Sequence, residues 1–343
     1  MDSYDVFTIV HPPYFKFLDG HLDSIKHSLG ERTNKVYLLS TQTEKSDQSK
    51  LESIVSGSKI DVTLESTPEK STIGSSRNRI FRKGNSDWAV FLDADIMVNG
   101  DYFENLEGCI EKYGKHASGL AGGIGTSDSS RFGLYEGAMD LRVYLRNLNI
   151  SREEFEYLNQ RLNFQDLALG NEIEFYRRAR EALKGYEGQS TTAFQGFNQI
   201  IKREDLEGLG GFDERFWSAE DRELGLRFNR EGKKIVFTPS IWVNHDYNFN
   251  LGDILRRKKI HGVWYGELRR KFPEEEKLQM GARRWGRNFM RSFNPPEPFR
   301  GIDGRVYFTL AFLTYMSSSI LSQKLGLAKI DSSSGGWTYG RDK

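Results

Sequence analysis

Residues Asp87–Asp95 read DWAVFLDAD. Asp87 to Leu92 has the length and apolar continuity of a strand buried on both faces, and two carboxylates follow it at once. Upstream, Val6 to Val10 is rich in β-branched and aromatic residues and is closed by Pro12 and Pro13, the pattern of a strand ending in a loop. Leu18, Leu22, Ile25 and Leu29 then recur at helical spacing. Lys35 to Leu39 gives a second strand, Leu51 to Val55 lies in a helix, Lys59 to Leu64 gives a third strand, and Ile73 to Arg82 is helical after a Ser-rich turn. This alternation of strand and helix implies right-handed βαβ crossovers and a doubly wound, mainly parallel α/β sheet covered on both faces. Ligands of such sheets bind at the carboxyl ends of the strands, so chemistry is expected in the loops after Val10, Leu39, Leu64 and Leu92.

The chain of 343 residues exceeds one ordinary core, and the expectation is one large domain of about 250 residues with an appendage. The α/β domain is expected over 1–250 and a basic helical extension over 251–343. Within the first, helical periodicity from about 136 to 185 marks an insertion, with Ser151 and Glu154 at capping-box spacing. The α/β pattern resumes with GFNQIIKRE from Gly196, a helix over Glu220 to Asn229, and strand-like segments Lys234 to Phe237 and Ile241 to Val243. Leu251 to Arg300 carries 13 basic and 6 acidic residues on mostly helical patterns, RRKK at Arg256 to Lys259 among them. Ser332 to Gly336 reads as a loose terminus.

Composition narrows the function classes. With 37% hydrophobic and 28% charged residues the chain can bury a sizeable core. A net charge of +1 gives no reason to expect nucleic acid as partner. Cys109 is the only cysteine, which excludes an intramolecular disulfide framework and a Cys-rich zinc site and fits a reducing compartment. The first fifteen residues lack the basic and hydrophobic regions of a signal peptide, so a cytoplasmic protein is expected.

Asp93 and Asp95 alternate along an extended backbone and so project to one side at the strand's carboxyl end. Two unpaired carboxylates there repel, and a hard divalent cation shared with a diphosphate removes the conflict. Such a cation, Mn²⁺ or Mg²⁺, would stabilise a departing nucleoside diphosphate as a Lewis acid. The same aspartates could instead cap a strand-to-loop turn.

The stretch Phe194 to Phe228, FQGFNQIIKREDLEGLGGFDERFWSAEDRELGLRF, has a Gly turn at Gly196, a basic strand end at Lys202 and Arg203, a GGFDE turn at Gly210 to Glu214, and an acidic pair, Glu220 and Asp221, opening a helix. Together with FLDAD upstream, this order resembles the inverting glycosyltransferase family 2 and its relatives of the GT-A fold, including those with a galactosyltransferase-like carboxyl half. The resemblance covers roughly Tyr4 to Asn248. It implies a GT-A nucleotide-diphospho-sugar transferase, a nucleotide-sugar donor with a UDP-sugar favoured, and a glycan or lipid-linked acceptor. It makes Asp221 the catalytic base, with Glu220 binding acceptor or orienting the base; a positioned carboxylate can take the proton of a poorly nucleophilic hydroxyl. Ser218 and Asp221 also have the spacing of a helix cap, so Asp221 either takes a proton or satisfies backbone N–H groups.

The resemblance extends to further residues. It makes His245, with Asp93 and Asp95, a metal ligand, and neutral imidazole suits Mn²⁺ better than Mg²⁺; the other reading is a structural histidine. Asp246 stands beside it. In STIGSSRNRI, Arg77 and Asn78 match positions that face the donor nucleotide, and Arg77 could hold a phosphate bidentately or be a solvated helix residue. His11 and Pro12 stand where the family contacts the nucleobase, and Gly196 where it lines the donor. Phe194 and Gln195 are expected to border the donor sugar, although nothing in the residues themselves requires it. STQTEKSD after the second strand departs from the family's Asp-Asp-Gly-Ser turn, with Asp47 too far along to replace it, so base recognition stays open. Asp213 and Trp217 fall on the acceptor side; Trp217 either stacks on a sugar or lies in the core, and Phe212 packs beneath the Gly turn.

Val306 to Leu321 is the longest apolar stretch, but 16 residues with several serines fall short of a membrane span of about 20. It could lie in an anionic membrane interface behind the basic segment or pack on the main domain. Retaining transfer and a non-catalytic glycan-binding role remain alternatives. HPPYF after the first strand is no Gly-rich phosphate loop, which argues against a nucleotidyltransferase.

Overall fold

A computed structural model describes residues 2–29, 33–126, 136–137, 141, 145, 147–162, 172–246, 250–275 and 302–325. The chain divides into two compact units, Met1–Ser127 with Met139–Leu162 and Tyr176–Asp246, and Asp128–Ala138 with Asn163–Phe175 and Tyr247–Lys343. The expected loose terminus at Ser332 to Gly336 and the basic stretch from 276 to Arg300 lie outside the described residues, as does much of the expected insertion.

The first unit opens with the expected alternation. β1 (Tyr4–Val10), α1 (Phe15–Ser28), β2 (Thr33–Ser40), α2 (Lys45–Ser58), β3 (Val62–Ser66), α3 (Ile73–Phe81) and β4 (Trp88–Asp93) follow in order. β3, β2, β1 and β4 lie side by side and parallel, with Ile9 opposite Asp93. Burial on both faces explains the largely apolar runs of β1, β2 and β4, whereas β3 at the sheet edge is half-buried throughout. On one face Val6, Trp88, Val90 and Leu92 pack with Tyr102, Phe103 and Leu106; on the other Phe7 and Phe91 pack with Ile80, Phe81, Phe212 and Phe228.

Beyond β4 the sheet becomes mixed. β5 (Ile96–Val98), α4 (Tyr102–Tyr113) and β6 (Gly119–Thr126) come next. α5 (Arg152–Arg161) and α6 (Glu172–Lys184) precede β7 (Ser190–Thr191), β8 (Asn198–Lys202), α7 (Arg203–Gly208), α8 (Glu220–Arg230) and β9 (Ile235–His245). β8 runs antiparallel between β4 and β6, β6 is parallel to β9, and β5 and β7 are antiparallel to β9. Ser151 and Glu154 form the expected capping box at α5.

β9 corrects one expectation, because the two predicted segments form one strand that passes through Pro239. Proline cannot donate to the ladder, and a register shift between Gly122 and Gly123 absorbs the interruption. β6, GLAGGIGT, has no readable period because glycine gives none. Its glycines are required by close approach: a Cβ at Gly122 would stand 2.1 Å from Asn198 Nδ2, and one at Gly123 2.3 Å from Trp242 Cε3.

In the second unit α9 (Leu251–Lys271) packs along α10 (Ile302–Leu325). A Cβ at Gly262 would lie 2.4 Å from the Tyr315 carbonyl, and one at Gly266 2.5 Å from that of Ser319. Small residues therefore bring the backbones together, and the serines that interrupt the apolar stretch line this contact: Ser319 and Ser322 are buried, with Arg269 donating to Ser319 and Ser322 to Glu267. The basic run is only partly solvated, since Lys258 bonds the buried Glu136 at 2.8 Å. No helix among the described residues is long and apolar enough to cross a membrane.

Candidate active site

Arg77 is the centre of the site. Thr72 caps α3, its side chain accepting from Ser75 N, and this places Arg77 one turn into the helix, 3% exposed. Its Nη1 donates to Glu220 Oε1 at 2.7 Å, and its Nη2 donates to Asp93 Oδ1 at 3.1 Å and to the Gly196 carbonyl. Phe212 and Phe91 flank the guanidinium, 5.4 and 5.9 Å away at their centroids. One cation thus joins the carboxylate behind β4 to the acidic pair that opens α8. Burial opposes the guanidinium's charge, but Glu220, Asp93 and Asp221 outweigh it and raise its pKa.

The acidic pair occupies the first turn of α8, where backbone N–H groups favour anions. Ser218 does not cap this helix: the N-cap is Ala219 in the left-handed region at φ 62°, without a side-chain cap bond. Burial pushes the Glu220 carboxyl up to about 7 against the pull of Arg77, with Asp221 adding to the rise. Burial also raises Asp221, opposed by the Arg222 N–H and by Arg77. Asp221 lies against Gly196, where a Cβ would come within 3.3 Å of its Oδ2. The Gly196 carbonyl also accepts from Gln199 Nε2 at 3.1 Å.

Asp95 and His245 form the second half of the site. β5 pairs with β9 so that Ile96 stands opposite His245, and Asp246 N donates to the Asp95 carbonyl at 2.9 Å. His245 Nε2 then lies 3.6 Å from Asp95 Oδ1, both residues being buried. Among the described residues no group of three or more His, Cys, Asp or Glu side chains is gathered closely enough to hold a metal ion by itself. The donors nevertheless fit a divalent cation, because a buried carboxylate oxygen beside an imidazole nitrogen supplies two ligands and phosphate oxygens complete such sites. Asp93, whose side chain is 44% exposed, is turned toward Arg77. Asp246 lines a cavity of about 150 Å³ with Lys16, Phe17, Asp95 and Met97.

The remaining expected residues divide by what they touch. Asn78 is engaged by the GGFDE turn: it accepts from Phe212 N at 2.8 Å and donates to the Phe212 carbonyl at 2.9 Å and to Glu214 at 3.0 Å. Gly210 and Gly211 adopt φ of 76° and 82°, and a Cβ on Gly211 would stand 2.5 Å from Asn78 Oδ1. Asp213 is held by the Arg215 guanidinium and N–H. Trp217 is half-buried, with Lys70 Nζ 5.2 Å from its ring centroid. Phe212 is buried edge-on to Phe91, as expected; Phe194 packs edge-on to Phe228 in the core. Gln195 is buried. His11 and Pro12 follow β1, His11 beside Tyr14 at 4.6 Å, in a desolvated setting that lowers its pKa to about 4. Asp47 lies in the first turn of α2.

Two buried polar residues near the site were not recognised from sequence. Gln199 is buried on β8 between Asn198 and Ile200, and His21 lies on the buried face of α1 beside Leu18 and Leu22, a polar residue at an inward helical position. That position was the readable signal.

The model of glycosyl transferase family 2 matches residues 16–210. A stretch of 47 residues, 13% of this chain and 4% of the relative, is 49% identical to the O-antigen biosynthesis protein RfbC of Myxococcus xanthus. Among solved structures, mannosyltransferase PcManGT from Pyrobaculum calidifontis, in complex with GDP-Man and Mn²⁺, is similar over 95% of this chain and 88% of its own, at TM-score 0.58 and 13% identity. GalNAc-T7 with UDP, GalNAc and Mn²⁺ is similar over 73% of this chain and 44% of its own, at TM-score 0.51 and 14% identity. At such identities the likeness is one of fold.

Proposed function

We propose that this chain, which belongs to glycosyl transferase family 2, moves a sugar from a nucleotide-sugar to an acceptor hydroxyl with inversion, using Asp221 as base. The observation that carries this reading is the joining of Asp93 to Glu220 through Arg77, with Asp221 against Gly196 in the same cluster. Asp221 accepts the acceptor's proton as the new C–O bond forms on the sugar carbon. The bond from that carbon to the phosphate oxygen breaks on the opposite face, and its electron pair leaves with the nucleoside diphosphate. A carboxyl raised above its ordinary value is a stronger base for this step than an exposed aspartate. Glu220, held by Arg77, orients the acceptor or the base.

Asp95 and His245 would hold a divalent cation, Mn²⁺ better than Mg²⁺ given the imidazole, with Asp93 beside them. When bound, that cation offsets the charge of the leaving diphosphate. His11 and Pro12, directly after β1, border the base of the donor. Arg77 and Asn78 act on the donor through the residues they hold, and Gly196 leaves room beside Asp221. Asp213 and Trp217 bound the acceptor side, Trp217 offering its face to a sugar. The stretch shared with an O-antigen biosynthesis protein supports a polysaccharide or lipid-linked acceptor.

On α10, Leu310, Leu313, Ile320 and Leu321 form an exposed stripe at helical spacing, and α9 of the same unit exposes Arg256, Lys259 and Arg270. This combination supports peripheral contact with an anionic bilayer. Sedimentation with phosphatidylserine vesicles tests it; loss of binding in Leu313→Glu is expected, and no binding by the wild type contradicts it.

A thermal-shift comparison of UDP- and GDP-sugars with and without Mn²⁺ tests the main reading, since a ligand of the native state raises apparent stability. One donor should raise the melting temperature only with the metal. No response to any nucleotide-sugar would contradict the reading.

A further inference from the structure

His21 is fully buried, far from solvent yet polar at both ends of its ring. Its Nε2 lies 2.9 Å from Thr8 Oγ1 on β1, and its Nδ1 lies 2.6 Å from the carbonyl oxygen of Ile96 on β5. A carbonyl can only accept, so the proton must be on Nδ1, and the neutral ring then receives the Thr8 hydroxyl at Nε2. Burial agrees with a neutral ring, lowering its pKa to about 4 against the opposing bond to Ile96.

The residue that His21 holds is not an arbitrary one. Ile96 follows Asp95 directly and is the register partner of His245 in the β5–β9 ladder. The Asp95 carbonyl is fixed separately by Asp246 N at 2.9 Å. The backbone where Asp95 leads into the short strand is therefore gripped at two consecutive carbonyls, Asp95 by the β9 side and Ile96 by α1. β5 has only three residues, so its own ladder gives it little rigidity.

We propose that His21 is a positioning residue for the divalent-cation pair, setting the separation of Asp95 and His245 by tying the Ile96 carbonyl to α1. The inference rests on the reading that Asp95 and His245 hold a cation. A group that orients a metal ligand from behind is worth about 10-fold to 100-fold in metal affinity.

The test is Mn²⁺ affinity of the full chain, measured by electron paramagnetic resonance with Mn²⁺ alone as the probe. His21→Leu, which keeps the volume and removes the donor, should weaken Mn²⁺ binding by about 10-fold or more. His21→Asn, which restores an N–H near the Nδ1 position, should recover most of that affinity. Ser24→Ala serves as control: it removes another α1–β5 bond, Val98 N to Ser24 Oγ at 3.2 Å, two residues further along, and should leave Mn²⁺ affinity unchanged. A merely structural His21 would lower thermal stability in both variants without separating them in Mn²⁺ affinity. Equal Mn²⁺ binding by wild type and His21→Leu overturns the inference while leaving the cation site intact. Absence of Mn²⁺ binding by the wild type overturns the site itself and the inference with it. Should His21→Leu fail to fold, Thr8→Val decides, since it frees the other end of the ring: weaker Mn²⁺ binding supports the role and unchanged binding overturns it.

Discussion

Arg77 and Glu220 are 143 residues apart in the chain and share a 2.7 Å ion pair in which both side chains are at most 5% exposed. The same guanidinium reaches Asp93 at 3.1 Å. A charge buried this deeply is stable only with its partners, so the pair is a fixed joint between the strand that ends in Asp93 and the helix that begins at Glu220. Both acidic elements of the proposed transferase are set by this joint.

Removing the cation should therefore be costly. Arg77→Met leaves Glu220 buried without its partner and should lower stability by about 3–5 kcal/mol in urea denaturation. Adding Glu220→Gln to that variant should restore part of the loss, because the stranded charge is gone. A loss under about 1 kcal/mol in the single variant would show that the joint is not structural.

The Glu220 carboxyl gives a signed pH dependence. Its folded pKa of about 7 lies above its ordinary value of 4.5, so the unfolded chain releases the proton first as pH rises. The contribution of Glu220 to stability is thus full below pH 4.5, falls between there and about 7, and is level above. The stability of wild type minus that of Glu220→Gln should be smaller at pH 7.5 than at pH 5. An increase over that interval contradicts the assignment.

Gly196 tests proximity. A methyl group at Gly196 would stand 3.3 Å from Asp221 Oδ2, so Gly196→Ala must push the carboxylate by a few tenths of an ångström. Turnover should drop by about 10-fold with little change in stability, since small displacements of a reacting group are expensive. An unchanged kcat would separate Asp221 from the reaction.

Much of this was legible in the sequence. β1, β2 and β4 show as largely apolar runs because both faces of the parallel core are covered there, and FLDAD and SAEDRE stand out as acids at element ends. The rest was hidden for physical reasons. The glycines of β6 carry no period, and their strand is shaped by Trp242 and Asn198 from elsewhere in the chain. The serines of α10 look like interruptions of an apolar helix until α9 is laid against them. Arg77 was visible as a matching residue, but its partners lie 16, 119 and 143 residues away, so its role as a joint needed the fold. Asn78 was likewise visible, and only the left-handed turn at Gly210 and Gly211 reveals what engages its amide.

The cation pair separates binding from chemistry. Asp95→Ala and His245→Ala should each remove the Mn²⁺-dependent part of the donor's thermal shift, because each deletes one of the two adjacent side chains proposed to hold the metal. A full Mn²⁺-dependent shift in either variant would place the metal elsewhere.

The most direct test of Asp221 as base is pre-steady-state transfer by Asp221→Asn with the donor found by thermal shift. The account expects donor affinity within about 2-fold of wild type and a transfer rate lower by about 10²-fold to 10⁴-fold, the usual worth of a positioned base. Wild-type turnover in Asp221→Asn would contradict it.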